Sequence, residues 1–161
     1  MESSMHSLVL SSAAEVRAHI APLRAQGKTL VTTNGCFDII HAGHIKYLSD
    51  AASEGDILIV GINSDESVRK LKGETRPLQL QNERALIIAS LKMVFASFVF
   101  NEDDPRAFLE VLKPDVHVKG GDYPEDIIER PTVEAYGGKI RIVSLVADRS
   151  TTSLIEKIQN E

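Results

Sequence analysis

Cysteine is almost absent from this chain of 161 residues, because Cys36 is the only one. A single cysteine excludes an intramolecular disulfide and a zinc site built from several thiolates. No apolar run approaches the roughly 20 residues of a membrane-spanning helix. The N-terminal segment MESSMHSLVLSS also lacks the basic start of a signal peptide. We therefore expect no membrane partner and a cytoplasmic location.

Positive charge is in deficit, since 18 Lys and Arg against 23 Asp and Glu give a formal net charge of −5. An acidic chain is a poor candidate for binding a nucleic-acid backbone, so we expect no nucleic-acid partner. One small anion can still bind where a few donors cluster. The length and an apolar content of 43% are typical of one soluble globular domain.

Apolar, β-branched runs alternate with amphipathic segments along the chain. The runs predict strands over residues 28–35, 56–65, 93–100, 115–121 and 139–146. Helical periodicity predicts helices over residues 12–27, 41–55, 80–92, 104–114, 130–138 and 150–160, and a short one within 66–77. This alternation indicates the α/β class, with a single-domain Rossmann-like open parallel sheet and helices on both faces.

Three predicted strand ends carry polar or glycine-rich segments, at residues 34–44, 119–123 and 148–152. In an open parallel sheet the ligand lies beyond the carboxyl ends of the strands, near the point where the strand order reverses. Because these strand ends share one edge of the sheet, we expect the three segments to converge in space.

The segment NGCFDIIHAGH places His41 and His44 three residues apart at the start of a predicted helix. Side chains with that spacing project from one side of a helix, where each imidazole can donate an N–H to a phosphate oxygen. Gly35 and Cys36 lie in the preceding turn, where small residues leave backbone N–H groups open to a phosphate. The pattern favours an anion site over a zinc site, because no third ligand stands at a suggestive spacing. We expect Cys36 to serve through its size and backbone, not as a nucleophile.

Two basic segments have alternative interpretations. The segment RKLKGETRP, which contains Lys72 and Arg76, is either a mobile loop that closes over phosphates or a solvated charge run. Arg84, in QNERA, is about equally suited to a salt bridge and to a ligand contact.

Two later segments complete the candidate site. The glycines of KGGDY, residues 119–123, permit close approach of the backbone to a flat ring, and Asp122 can accept hydrogen bonds, although a plain turn also fits. The segment STT, residues 150–152, supplies hydroxyls and N–H groups at the start of the last helix. It is either a second anion site or a simple N-cap.

These segments together resemble the nucleotidyltransferase superfamily that carries the H-x-G-H signature. GCFDIIHAGHIKYL is similar to that signature over its full length, and STTSLI resembles the C-terminal signature of the family. With VGINSDESVRKLKGETRP and VKGGDY, the chain most closely resembles heptose 1-phosphate adenylyltransferases over about residues 28–159. Such enzymes occur alone or as the second domain of a bifunctional kinase–adenylyltransferase, and we expect the stand-alone form. Residues 1–27 are then an N-terminal helical extension, and residues 28–161 the nucleotidyltransferase domain.

The resemblance implies that ATP and D-glycero-D-manno-heptose 1-phosphate give pyrophosphate and ADP-heptose, a precursor of lipopolysaccharide or other surface glycans. It implies that His41, His44 and Lys72 are catalytic and, with the start of the last helix, supply a positive field. Mg²⁺ is expected on the triphosphate, without metal ligands from protein side chains. The nucleotide-binding residues are expected to be Gly35, Cys36, Phe37, Gly120, Gly121, Asp122, Ser150, Thr151 and Thr152, and the candidates for the substrate phosphate are Asp38, Arg76 and Arg84.

Other functions stay open at this point. Cytidine-using relatives carry a different segment ahead of STT and an acidic pair with tryptophan in place of GGDY. The sequence therefore favours adenine over cytosine as the base. A glycerol-3-phosphate-type cytidylyltransferase is the first alternative, and a non-catalytic nucleotide-binding module is the second. An oxidoreductase that binds a dinucleotide is disfavoured, because no G-x-G-x-x-G follows the first predicted strand. Relatives are often homodimers, but the sequence leaves the oligomeric state open.

Overall fold

Six parallel strands form one sheet in the computed structural model, which describes residues 8–121, 126–145 and 150–160. The order across the sheet is β1-β4-β3-β2-β5-β6, and every neighbouring pair is parallel. This arrangement confirms the predicted open parallel sheet. The strands are β1 (Val9–Leu10), β2 (Leu30–Gly35), β3 (Ile57–Asn63), β4 (Ala96–Phe100), β5 (Val116–Gly120) and β6 (Lys139–Val143).

Helices connect the strands, as the alternation of patterns predicts. No helix among the described residues is long and apolar enough to cross a membrane. The helices are α1 (Ala13–Ala25), α2 (Ala42–Ala52), α3 (Asp65–Lys72), α4 (Gln81–Ala89), α5 (Arg106–Leu112), α6 (Arg130–Ala135) and α7 (Thr151–Gln159).

Two apolar clusters cover the two faces of the sheet. Successive residues of a strand point to opposite faces, so Leu30 belongs to one cluster and Val31 to the other. The first cluster contains buried residues of α1, α5 and α6, and the second contains buried residues of α2 and α4. Strands β2 and β3 are therefore buried on both sides, which explains the nearly continuous apolar sequence of β3.

The first described residues contribute a strand that the sequence analysis did not predict. Val9 pairs with Ser97 and Leu10 with Phe98, so β1 extends the sheet beyond β4. The helix predicted after it is present as α1, and its Val16 packs in the first apolar cluster. A strand of two residues is too short for an alternating pattern to reveal it.

The strand order reverses at β2, and this position places the candidate site. From β2 the chain proceeds to β3 and β4 on one side, then returns to β5 and β6 on the other. The carboxyl ends of β2 and β5 therefore diverge into connections that leave a crevice between them. The segment with the two histidines follows β2 directly.

Candidate active site

A cleft of about 630 Å³ opens at the carboxyl ends of β2, β3 and β5. All three polar segments reach it, so the predicted convergence is confirmed. Gly121 and Arg84 do not line this cleft, and Asp122 lies outside the described residues. The predicted site residues that line it are Gly35, Cys36, Phe37, Asp38, His41, His44, Lys72, Arg76, Gly120, Ser150, Thr151 and Thr152.

The two histidines stack on each other at the start of α2. Their ring centroids are 3.8 Å apart, and the rings are inclined by 27°. Nδ1 of His41 accepts the N–H of Gly43 at 3.1 Å, and Nδ1 of His44 accepts the N–H of His41 at 3.4 Å. The spacing of three residues therefore caps the helix, because N-cap and N3 side chains satisfy backbone N–H groups that have no partner inside the helix.

This capping fixes where the ring protons lie. A nitrogen that accepts an N–H carries no proton, so each neutral ring holds its proton on Nε2. Both side chains line the cleft, where a ring N–H can donate to a ligand. Neighbouring N–H donors on a rigid helix start suit two oxygens of a polyphosphate.

The charge of His44 differs from the sequence prediction. Burial, and secondarily the neighbouring His41, lower the pKa of His44 to about 4. His44 is therefore neutral at pH 7 in the unliganded protein, and the expected positive charge on this ring is wrong. It acts there as a neutral N–H donor, and the charge that attracts a polyphosphate comes from other groups.

Phe37 shapes the turn between β2 and α2. Its φ angle is +47°, in the left-handed region that residues other than glycine rarely adopt. The ring lies edge-on against His44, with centroids 5.4 Å apart. A Cβ on Gly35 would lie 2.8 Å from Cε2 of Phe37, so the glycine makes room for this ring. The ring in turn limits the positions that the imidazole of His44 can take.

Gly120 has a similar packing role at the end of β5. A Cβ there would lie 2.7 Å from Cδ2 of Leu145 and 2.9 Å from Cε2 of Tyr47. Tyr47, which the sequence analysis did not single out, donates to the carbonyl of Val118 at 3.1 Å and shares a hydrogen bond with Thr33. These contacts hold α2, and therefore the histidines, against β2 and β5.

Asp38 organises the connection between α3 and α4. Its carboxylate is buried. It accepts one hydrogen bond from Nε of Arg76 at 2.7 Å and others from the backbone N–H groups of Leu78 and Gln79 at 3.0 Å. Burial alone would raise the pKa of Asp38, but the N–H groups of Leu78 and Gln79 and the Arg76 guanidinium together lower it. An ionised carboxylate repels phosphate, so the geometry gives Asp38 the role of positioning Arg76 instead of binding a substrate phosphate.

Arg84 forms a salt bridge, which is one of the two roles predicted for it. Its side chain is fully buried, and one Nη2–H donates to Asp65 at 2.8 Å. The guanidinium also donates to the carbonyls of Cys36 at 2.5 Å, Asn63 at 2.8 Å and Gln79 at 3.1 Å. The prediction of a substrate contact is therefore corrected, because these protein groups engage the guanidinium. Arg84 ties the ends of β2 and β3 to α4.

Lys72 lies at the end of a helix, not on a loop. It is the last residue of α3, and Gly73 ends the helix with a φ of +103°. Lys72 lines the cleft, whereas Lys70 pairs with Glu66 and Asp103 at 3.3 Å in each case. The basic segment therefore divides into Lys72 and Arg76, which line the cleft, and Lys70, which belongs to a surface ion-pair network.

The start of α7 faces the histidine segment. Ser150 is the N-cap, and its Oγ accepts the N–H of Ser153 at 3.0 Å, so the capping alternative is present. The hydroxyl of Thr151 donates to the carbonyl of Ile39 at 2.9 Å, which fastens this helix to the β2–α2 connection. Thr152 also lines the cleft. The positive end of the α7 dipole is therefore directed at the same space as the histidines.

Cys36 is a poor nucleophile in this setting. Burial raises the pKa of its thiol, and the positive charges of Lys72, Arg84 and Arg76 offset only part of that effect. A thiol that stays protonated at pH 7 does not attack phosphorus. The cleft thus combines ring N–H donors, Lys72, Arg76 and a helix start, and this set is suited to bind and polarise a polyphosphate.

Comparisons with known proteins agree with this geometry. The family model described as cytidylyltransferase-like matches residues 32–157. The chain is similar to the bifunctional protein HldE of Geobacter sulfurreducens, with 54% identity over 140 residues that cover 86% of this chain and 29% of that protein. For HldE of Geobacter metallireducens the identity is 53% over 136 residues, which cover 84% of this chain and 28% of that protein. The chain thus spans less than a third of these curated relatives.

Two solved structures are also similar. The lipopolysaccharide core biosynthesis protein from Thermoplasma volcanium aligns with a TM-score of 0.63 and 31% identity, over 74% of this chain and 98% of that one. A pantoate–β-alanine ligase from Francisella tularensis aligns with a TM-score of 0.57 and 15% identity, over 96% of this chain and 79% of that one. The second likeness shows the fold alone.

Proposed function

Because this chain belongs to the cytidylyltransferase-like family, we propose that it is a heptose 1-phosphate adenylyltransferase. ATP and D-glycero-D-manno-heptose 1-phosphate are its substrates, and ADP-heptose and pyrophosphate are its products. The identities of 48–54% to proteins named HldE support this choice, as does the likeness to a lipopolysaccharide core biosynthesis protein. The product is a precursor for lipopolysaccharide or another surface glycan.

The stacked histidine pair is the observation that carries this proposal. Nδ1 of His41 and Nδ1 of His44 each accept a backbone N–H, and both side chains line the cleft. Lys72 and the start of α7 lie around the same space. A triphosphate is the part of ATP that such a set of donors fits best.

The transfer needs no protein nucleophile and no strong base. An oxygen of the sugar phosphate is already ionised at pH 7 and attacks the α-phosphorus of ATP. A new P–O bond forms as the bond to the bridging α–β oxygen breaks, and that oxygen leaves on pyrophosphate with its electron pair. The protein contributes alignment of the two substrates and donors placed where negative charge develops.

Mg²⁺ enters the cleft with the triphosphate in this proposal. Asp38, one of the carboxylates in the cleft lining, is already engaged by Arg76 and two backbone N–H groups. The described residues contain no group of three or more His, Cys, Asp or Glu side chains that could hold a metal ion. In such a complex the ion would neutralise phosphate charge, and His41, His44 and Lys72 would donate to phosphate oxygens.

Pyrophosphate release tests the proposed activity. Purified protein with Mg²⁺ is assayed with ATP, CTP, GTP and UTP, each with heptose 1-phosphate or glycerol 3-phosphate. We expect release with ATP and heptose 1-phosphate. Release only with CTP and glycerol 3-phosphate would favour a cytidylyltransferase, and nucleotide binding without any release would favour a non-catalytic module. The homodimer and the cytoplasmic location stay predictions.

A further inference from the structure

Glu129 is a buried acid in the wall of the cleft, and the proposed transfer does not use it. It directly precedes α6, and its side chain is 1% exposed. It lines the cleft with Lys119, Gly120 and Ile128, close to the carboxyl end of β5. Nothing in the sequence marks it, because an acid before a proline-containing helix start is common on protein surfaces.

The two carboxylate oxygens of Glu129 have different surroundings. Lys119 donates from Nζ to Oε1, and this ion pair is mostly buried, since the Lys119 side chain is 18% exposed. Among the residues that the structure describes, no group donates a hydrogen bond to Oε2. A buried carboxylate oxygen without a donor loses its hydration with no compensation, and folded proteins almost always avoid this. Because Glu129 belongs to the cleft lining, a ligand bound against this wall is a candidate source of the missing donor.

The charge of the group decides which part of a ligand it can meet. A carboxylate accepts hydrogen bonds, cannot donate them and repels phosphate. The donors suited to phosphates lie elsewhere in the cleft, at His41, His44 and Lys72. Oε2 therefore suits a hydroxyl on a part of the substrate that carries no phosphate. The ribose of ATP and the sugar of the acceptor both supply hydroxyls.

We propose that Glu129, held in place by Lys119, is a specificity-determining residue that accepts a hydrogen bond from a sugar hydroxyl of a substrate. This inference rests on the proposed nucleotidyl transfer, because that reaction brings both hydroxyl-bearing substrates into the cleft. A substrate without the hydroxyl leaves Oε2 unpaired in the complex. A site that loses such a contact discriminates strongly against the deficient substrate.

Steady-state kinetics with hydroxyl-deleted substrates tests the proposal. Wild-type protein and E129Q are assayed with ATP, 2′-deoxy-ATP and 3′-deoxy-ATP, and with heptose 1-phosphate at varied concentration. For a ribose contact we expect the wild type to prefer ATP over one deoxy form by about tenfold or more in kcat/KM, and E129Q to lose most of that preference. For an acceptor contact we expect E129Q to raise the KM of heptose 1-phosphate by a similar factor, with the ribose preference unchanged.

The control is E134Q, which alters an exposed acid of α6 that pairs with Arg130. We expect it to keep the wild-type kcat and KM. The proposal is overturned if E129Q keeps wild-type KM values and the wild-type ribose preference. It is also overturned if E129Q lowers kcat and thermal stability alone, because a purely structural role predicts that result.

A wild-type measurement covers the case in which E129Q does not fold. Calorimetry then measures the affinity of the wild-type protein for each ligand without turnover. The ligands are ATP and its deoxy forms, and heptose 1-phosphate and an acceptor that lacks one hydroxyl. Equal affinities within both sets would overturn the role of Glu129. Wild-type protein that discriminates between these ligands but releases no pyrophosphate would overturn the proposed function and keep the hydroxyl contact.

Discussion

Arg84 donates from Nη1 to the carbonyl of Cys36 at 2.5 Å, although 48 residues separate them in the sequence. The same guanidinium reaches Asn63 and Asp65, at the end of β3 and the start of α3. One buried side chain therefore holds the turn before the histidines in register with the helix that ends at Lys72. Arg84 therefore shapes the cleft by fixing the backbone at Cys36 and Asn63, not by contacting a ligand itself.

Arg84→Lys tests this role. An ammonium group keeps the charge but cannot match the fork of donors that serves four acceptors. We expect the free energy of unfolding to fall by about 2 kcal/mol or more, because buried acceptors lose their donors. Urea denaturation measures the effect, and Arg130→Lys, in a partly exposed pair on α6, is the control with an expected change below about 0.5 kcal/mol. Equal stability of the two variants would contradict the role of Arg84.

His44→Ala removes one of the two ring donors. We expect kcat for pyrophosphate release to fall by about 100-fold or more, the usual loss for a donor that stabilises developing charge. His19→Ala is the control, because His19 is an exposed residue of α1 outside the cleft lining. Circular dichroism and the melting temperature establish that both variants fold. Near-normal turnover in folded His44→Ala protein would remove the histidine pair from the mechanism.

Lys72→Ala is predicted to impair activity more than Lys46→Ala. Lys72 lines the cleft, whereas Lys46 is 62% exposed and pairs with Asp50 on α2 at 2.6 Å. Loss of a charged donor to phosphate predicts a fall in kcat/KM of about tenfold to 100-fold for Lys72→Ala. Lys46→Ala is expected to stay within about twofold of the wild type. Small and equal effects would mean that the α3 lysines form only a solvated surface.

His117 predicts a dependence of stability on pH. It is fully buried on β5 and hydrogen-bonded to Thr32 at 2.8 Å, and burial lowers its pKa to about 3. Between the ordinary pKa near 6.5 and 3, the unfolded chain binds a proton that the folded protein does not. Stability is therefore lost as pH falls below about 6.5, with a contribution of about 1.4 kcal/mol per pH unit.

Denaturation of wild type and His117→Asn between pH 6.5 and pH 5 measures this contribution. This range lies above the ordinary pKa of aspartate, so Asp38 and Asp115, whose pKa values are lowered, do not titrate in it. We expect the stability of the variant to depend less steeply on pH than that of the wild type. Parallel curves would show that His117 binds a proton equally readily in the folded and unfolded states, which contradicts the lowered pKa.

Local patterns were sufficient for five of the six strands and for the shared side of the histidine pair, but not for the two-residue strand β1. The spacing of three residues predicted that His41 and His44 project from one side of the helix start, whereas the capping by both rings is seen only in the structure. Glycine positions were harder to interpret, because a Cβ on Gly35 would meet the ring of Phe37 and a Cβ on Gly120 would meet Leu145 and Tyr47. The sequence showed that these residues are small but not what lies against them.

Burial and long-range pairing were not predictable. Arg84 fits a ligand contact and a salt bridge equally well until β2, β3 and α4 are packed around it. The Lys119–Glu129 pair joins residues on a strand and before a helix, with no periodic signal to connect them. The neutral state of His44 depends on burial that only the folded chain creates.

The identity of the product tests the central claim most directly. Protein, Mg²⁺, ATP and heptose 1-phosphate are incubated, and the mixture is analysed by mass spectrometry and by ³¹P NMR, with His44→Ala beside the wild type. The account predicts ADP-heptose and pyrophosphate in equal amounts from the wild type, formed about 100-fold more slowly by the variant. Formation of ADP or AMP without a nucleotide sugar, or equal rates from both proteins, would contradict it.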